Sequence, residues 1–358
     1  MKKLFTIFLV VVLLASMLSF VGCQAKTYDL AMITDVGDID DKSFNQGTWE
    51  GIKDYAEKHK ISHKYYRPID ETTDAYLSAI ELAIERGAKV VVTPGFLFEE
   101  AIFLAQDIYP ETKFILLDGE PHNVDYSVFR IEKNVYGVYY AEEQCGYLAG
   151  YAAVKDGYRN LGYQGGMAVP AVVRYGFGFV QGAEAAAKDL NLPQGAVKIM
   201  YNYSGDFADT PASQTRAASW YQAGTEVIFA AGGKVGNSVM SAAETANKFV
   251  IGVDVDQSAE SPTVISSAMK GLASVVQQAL DAYYADNFPG GVVATLGAES
   301  DAVSLPAIAT SKWKTFSQAD YDSLFTKLAN GTIVPQKDNN ETSPLTLAPE
   351  LVTVTYVE

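Results

Sequence analysis

From Tyr28 onward, short apolar runs alternate with helical stretches of ten or more residues, and the alternation then begins again. A chain patterned this way hides each apolar run between layers of helix, so it folds as βαβ units around a parallel sheet. In the first block Tyr28–Asp35, Ser62–Ile69, Ala88–Thr93 and Lys113–Asp118 read as strands. Between them Ser43–His59, Thr73–Arg86 and Glu99–Ile108 read as helices, with Ser43 as the N-cap of the first and Trp49, Ile52 and Tyr55 near helical spacing. The second block opens with an Ala- and Gly-rich helix, Glu142–Lys155. Strands Leu161–Val169, Ala196–Tyr203, Glu226–Ala231 and Phe249–Asp254 follow, separated by helices Arg174–Leu190, Pro211–Ala223 and Gly236–Lys248. Two similar blocks, roughly 27–140 and 145–256, therefore lie in tandem. A further strand at Thr263–Lys270 precedes a helix to about Asn287, and the rest is less regular. No low-complexity linker parts the blocks, which predicts two three-layer α/β lobes with parallel sheets, joined at a hinge by several short crossovers.

The length, 358 residues, suits two domains. A net charge of −16 repels nucleic-acid phosphates, and no basic stripe offsets it, so nucleic acid is excluded as a partner. The N-terminus reads as a secretory signal: Lys2 and Lys3, then the apolar run Leu4–Phe20, then Val21-Gly22-Cys23. Small residues before a Cys predict a signal peptide over 1–22, lipidation at Cys23 and a short linker over 23–26. Phe20 departs from the Leu, Val or Ile usual three places before such a Cys, and an ordinary signal peptide or a single membrane anchor is the alternative. With Cys23 lipidated, Cys145 has no partner for a disulfide, and its small-residue setting predicts a packed structural thiol.

Ligands of open α/β sheets bind beyond the carboxyl ends of the strands. Asp35, Asp118 and Asp254 each close a strand, and Gly232-Gly233 closes another. One acidic strand end is ordinary turn chemistry; three of them across two repeated blocks predict a shared cleft. Phe44 and Asn45 fall at the start of the first helix, on the same side, where Phe44 either meets a ligand or packs under the preceding acidic loop. Other motifs fail. Gly232-Gly233-Lys234-Val235-Gly236 lacks P-loop spacing, Gly162–Gly166 is not a dinucleotide fingerprint, and no nucleophile elbow occurs. His59, His63 and His122 have no metal spacing and read as surface residues. Binding without turnover is the expectation, with no catalytic residue, metal or cofactor.

The run Thr34-Asp35-Val36-Gly37-Asp38-Ile39-Asp40-Asp41-Lys42-Ser43-Phe44-Asn45-Gln46 resembles the opening signature of the basic membrane protein (PnrA-like) family. The likeness continues through Val92–Phe96, Phe114–Gly119, Gly165–Met167, Gly178–Gly182, Phe229–Gly233 and Ile251–Gln257. These are purine-nucleoside-binding lipoproteins of ABC transporters, built on two Rossmann-like lobes of the type I periplasmic-binding-protein fold. The resemblance implies a first lobe over 27–143 plus about 258–312, and a second over 144–257 plus about 313–358. It implies that Phe44 and Phe207 stack on the two faces of the base, Phe177 or Phe179 being the alternatives to Phe207. Asp118 would read the base edge, Asp254 would grip the ribose, and Lys270 would donate to sugar oxygens and offset the carboxylates, with Asp35, Asn45 and Gly233 completing the polar set. The implied protein is an extracytoplasmic monomer that is no enzyme, tethered to the cell membrane through Cys23 and serving ABC permease subunits. Gly271 stands where the family often has Arg, and Val172–Phe177 is only loosely family-like. A sugar or polyol receptor of the same fold, a surface adhesin, or a nucleoside-cleaving enzyme are the competing readings.

Overall fold

The computed structural model describes residues 26–35, 38–338 and 340–357. The predicted signal peptide and Cys23 lie outside the described residues. Two twisted sheets carry the fold. The first contains β1 (Leu30–Ile33), β2 (His63–Tyr66), β3 (Val90–Pro94), β4 (Lys113–Leu117), β5 (Val135–Tyr140) and β11 (Val292–Leu296), in the order β11-β5-β4-β3-β1-β2. The second contains β6 (Asn160–Gly165), β7 (Val197–Tyr203), β8 (Val227–Ala231), β9 (Phe249–Asp254), β10 (Val264–Lys270), β12 (Val303–Ser304) and β13 (Val352–Tyr356). Its order is β12-β10-β9-β8-β6-β7-β13, parallel except where β12 meets β10. The inner order β2-β1-β3-β4-β5 of one sheet repeats as β7-β6-β8-β9-β10 in the other, so the tandem pattern of the sequence is a true structural repeat.

Helices cover both faces of each sheet because alternate strand residues point to opposite sides. In β1, Leu30 and Met32 pack with Ile52 and Tyr55 of α1 (Phe44–His59). Ala31 and Ile33 pack instead with Tyr76 and Ile80 of α2 (Thr73–Glu85) and Ile102 of α3 (Glu99–Ile108). In the second lobe Val227 and Phe229 face α4 (Glu142–Lys155) and α5 (Pro170–Asp189). Ile228 and Ala230 face α6 (Pro211–Gln222) and α7 (Val235–Ala246). The predicted start of α5 at Arg174 is four residues late: Pro170 occupies its first turn, where a missing N–H costs nothing.

The chain passes between the sheets three times, at Tyr140–Glu142, at Lys270–Leu272 and at Leu296–Ala298. The segment 258–312, expected in the first lobe, therefore divides. Strand β10 pairs with β9 of the second sheet, and β12 joins it there. Helix α8 (Leu272–Tyr284) packs on α1, and β11 pairs with β5 of the first sheet. The three passages are stitched together: Ala141 N donates to Leu296 O at 2.9 Å, and Ala298 N to Gln144 Oε1 at 2.7 Å. Helix α9 (Gln318–Ala329) rests on α4, and β13 closes the far edge of the second sheet. Among the described residues no helix is long and apolar enough to cross a membrane.

Candidate ligand-binding cleft

Both sheets turn their carboxyl ends toward the space between the lobes. Asp118 follows β4 with φ 55°, and Asp254 ends β9 with φ 64°. Asp is among the few residues that tolerate this left-handed region. The turn there ends each strand and leaves the carboxylate beyond the sheet edge.

Asp118 and Lys270 meet from opposite lobes, Nζ to Oδ2 2.5 Å. The same ammonium lies 3.1 Å from Glu142 Oε1, outside hydrogen-bonding alignment. It also sits 5.0 Å from the ring centre of Phe44, 5.3 Å from Tyr140 and 5.4 Å from Tyr175, within cation–π range of all three. Lys270 is 2% exposed in its side chain and Glu142 is 1% exposed, so these charges depend on one another rather than on water. Burial pushes the Asp118 carboxyl up to about 7; Lys270 pulls it down and Glu142 and Asp254 push it further up. Burial works against the charge on Lys270, yet Asp118, Glu142 and Asp254 outweigh it and hold the ammonium above its usual range. Asp118 Oδ1 is buried and has no hydrogen-bond partner among the described residues. Buried polar atoms without partners are rare in folded proteins, and this one borders the cleft.

Asp254 accepts from Ser43 Oγ at 2.5 Å and from Tyr175 Oη at 3.1 Å. Ser43 occupies the N-cap position of α1, but its side chain makes no cap bond. Asp41 performs that task, accepting from the amides of Ser43, Asn45 and Gln46 at 2.9, 2.9 and 3.0 Å. Burial raises Asp41, and the amide donors oppose the rise. Asn45 is buried, and its amide donates to Asp35 Oδ1 at 2.8 Å and to Asp41 Oδ2 at 3.0 Å. Asp35 also abuts Gly95, where a Cβ would collide with the carboxylate.

Phe207 and Gly233 form a second cluster at the ends of β6 and β8. The Phe207 ring lies against Gly166, its carbonyl accepts from Lys234 N at 3.1 Å, and Gly233 adopts φ 54° beside it. Lys234 ties this edge to the first lobe through Asp38 at 2.6 Å, while Gln257 donates to Lys42 O at 2.7 Å. The structure thus joins Asp118, Lys270 and Phe44 directly, links Asp254 to them through Ser43 and Tyr175, and holds Asp35 with Asn45. Phe177 and Phe179 are fully buried in the second-lobe core, which removes them as cleft rings. His122, expected on the surface, is buried; its Nε2 lies 3.1 Å from Glu99 Oε2 and its ring stacks on Tyr126 at 3.9 Å. Cys145 is a buried free thiol, raised by burial, that donates to Glu142 O at 3.4 Å. Among the described residues no group of side chains could hold a metal ion.

Sequence reasoning missed Asp41, Glu142, Tyr140 and Tyr175. Acids at the first turn of a helix are common, because they complement its dipole, so Glu142 gave no distinguishing signal. Tyr140 lies on a strand that the pattern did not reveal.

A family model described as "ABC transporter substrate-binding protein PnrA-like" matches residues 28–334. The chain is 29% identical over 298 residues to "ABC transporter nucleoside-binding protein BmpA" of Lactococcus lactis, spanning 77% of this chain and 80% of that one. It is 28% identical over 312 residues to "Basic membrane protein B" of Borreliella burgdorferi, spanning 84% and 87%. In shape it is similar to an ABC transporter system solute-binding protein from Aeropyrum pernix, with TM-score 0.75 over 87% of this chain and 94% of that chain, at 21% identity. That last likeness bears on fold alone.

Proposed function

This chain belongs to the PnrA-like family of ABC transporter substrate-binding proteins, and from that membership we propose that it captures purine nucleosides outside the cytoplasmic membrane and delivers them to an ABC permease. The observation that carries this reading is Asp118: a buried carboxylate between the lobes, with one oxygen held by Lys270 and the other without a partner among the described residues. A purine offers ring and exocyclic N–H groups to such an acceptor, while its flat faces suit Phe44 and Phe207. Stacking of that kind contributes about 1–3 kcal/mol per base contact. Asp254 already accepts from Ser43 and Tyr175, but a carboxylate has roughly four lone-pair sites and keeps room for vicinal ribose hydroxyls. Lys270, Asp35, Asn45 and the Gly233 backbone supply the remaining polar contacts. Asp35, Asp118, Glu142 and Asp254 outnumber Lys270 in the cleft, which favours a neutral ligand and repels the phosphates of nucleotides. Cys23 carries the lipid that holds the protein at the membrane, and the unit is a monomer.

Titration calorimetry with inosine, guanosine, adenosine, ribose and arabinose tests the reading. Heats from the nucleosides and none from the free sugars are expected. Binding of free sugars alone, or of nothing in the set, rejects it.

A further inference from the structure

Five charges of alternating sign run through the hinge. Asp118 contacts Lys270 at 2.5 Å, Lys270 lies 3.1 Å from Glu142, Glu142 lies 3.7 Å from Arg174 Nη1, and Arg174 Nε lies 3.0 Å from Asp338. Glu142 begins α4 at the first passage between the lobes, and Lys270 ends β10 at the second. Neither oxygen of Glu142 has a hydrogen bond among the described residues, so its charge is held by Lys270 and Arg174 alone. One buried ammonium therefore serves two carboxylates, and what Glu142 takes of its field Asp118 does not receive.

We propose that Glu142 is a positioning residue that sets whether Asp118 is ionised, by competing with it for Lys270, and so sets the choice between 6-oxopurine and 6-aminopurine nucleosides. The proposal rests on the nucleoside reading above. Ionised Asp118 accepts from the ring N1–H of a 6-oxopurine and repels the N1 lone pair of a 6-aminopurine. With one solvent proton added at Oδ1, the same group donates O–H to N1 of a 6-aminopurine and accepts from its amino group. The other groups facing Asp118 are Asp254 from β9, which opposes its ionisation, and the phenols of Tyr140 from β5 and Tyr175 from α5. Both phenols are held far above their ordinary range by burial and stay neutral. Among the described residues Lys270 is the one cation in contact with Asp118, so its sharing with Glu142 governs the balance.

Two substitutions act in opposite directions. Glu142→Gln keeps shape and removes the competitor; Asp118 then ionises more readily. Adenosine affinity at pH 7 should fall about fivefold for a one-unit drop in the Asp118 midpoint, while inosine affinity holds or improves, because the protonated fraction goes from about one half to about one tenth. Arg174→Gln removes the cation that draws Glu142 away from Lys270, and adenosine should gain on inosine. Arg174 is the more exposed of the two, so this variant keeps the test open if Glu142→Gln does not fold. Carbon-13 carboxyl NMR on the ligand-free protein reads the Asp118 midpoint directly, expected lower in Glu142→Gln and higher in Arg174→Gln. An unmoved midpoint in the folded variants overturns the proposal whatever the ligand. Midpoints that move while wild-type protein binds no nucleoside keep the electrostatic half and remove the specificity half together with the nucleoside reading.

Discussion

Ser43 stands at the head of a first-lobe helix and gives its hydroxyl proton to Asp254 of the second lobe, Oγ to Oδ2 2.5 Å. The helix does not lose its cap, because Asp41 accepts three amides of the first turn in its place. One residue type that sequence reasoning assigns to helix capping is thereby released to bridge the two lobes.

Ser43→Ala should accordingly separate closure from folding. The hydrogen bond to a charged acceptor contributes roughly 1.5–3 kcal/mol, so nucleoside affinity should weaken about tenfold or more. Thermal stability without ligand should change little. Asp41→Ala should do the reverse in kind, costing about 1–2 kcal/mol of fold stability through the lost cap. Calorimetry and thermal melts on both variants check the contrast; a large melting loss in Ser43→Ala would show that its bond supports the first lobe itself.

Phe44→Ala and Phe207→Ala should each weaken nucleoside binding by roughly 1–3 kcal/mol, the range for a base stacked on one aromatic ring. Both rings are partly exposed and only pack against the margin of the core, so melting temperatures should fall less than for a fully buried ring. Unchanged affinity in either variant rejects that ring as a face of the sandwich.

The βαβ alternation was legible because apolar runs such as 90–92 and Val227–Ala231 are buried on both faces and carry no polar interruption. Strand β5 (VYGVYY) was not: its tyrosines and a glycine give neither a clean run nor a clean alternation. The same limit hid the edge strands β11 and β13, whose solvent-facing residues dilute the signal. Of the site, the strand-end aspartates could be read because a carboxylate closing an apolar run is a local feature. Glu142, Tyr175 and the Ser43–Asp254 bridge depend on how distant segments meet. Ser43 and Asp254 are 211 residues apart, and no local pattern announces their contact.

Helices α4 and α5 pack through glycine. A Cβ at Gly150 would strike the carbonyl of Phe179, and one at Gly182 the carbonyl of Tyr147. Both obstacles are backbone atoms within helices, which cannot swing aside as a side chain could. Gly150→Ala should therefore destabilise the second lobe by about 1–3 kcal/mol, the cost of overpacking, despite the better helix propensity of Ala. Chemical denaturation measures it; a stabilised variant would mean that the two helices can part without loss.

Glu143 offers a test of burial by pH. It is almost fully buried beside Glu142, one of its oxygens has no partner among the described residues, and Lys337 is 4.0 Å from the other. Burial, reinforced by Glu142, raises its carboxyl from 4.5 to about 7. The folded state then holds the proton more tightly than the unfolded chain. Stability from this group is full below the unfolded value, declines from about 4.5 to about 7, and is level above that. Glu143→Gln keeps the shape without the charge, so it should remove this decline and leave the variant more stable than wild type at pH 8 by about 3 kcal/mol. The difference between the two proteins should vanish near pH 4. Denaturation midpoints across that range decide the matter: parallel curves for the two proteins would mean that Glu143 is ionised and solvated in the native state, reached by water along the α4 terminus.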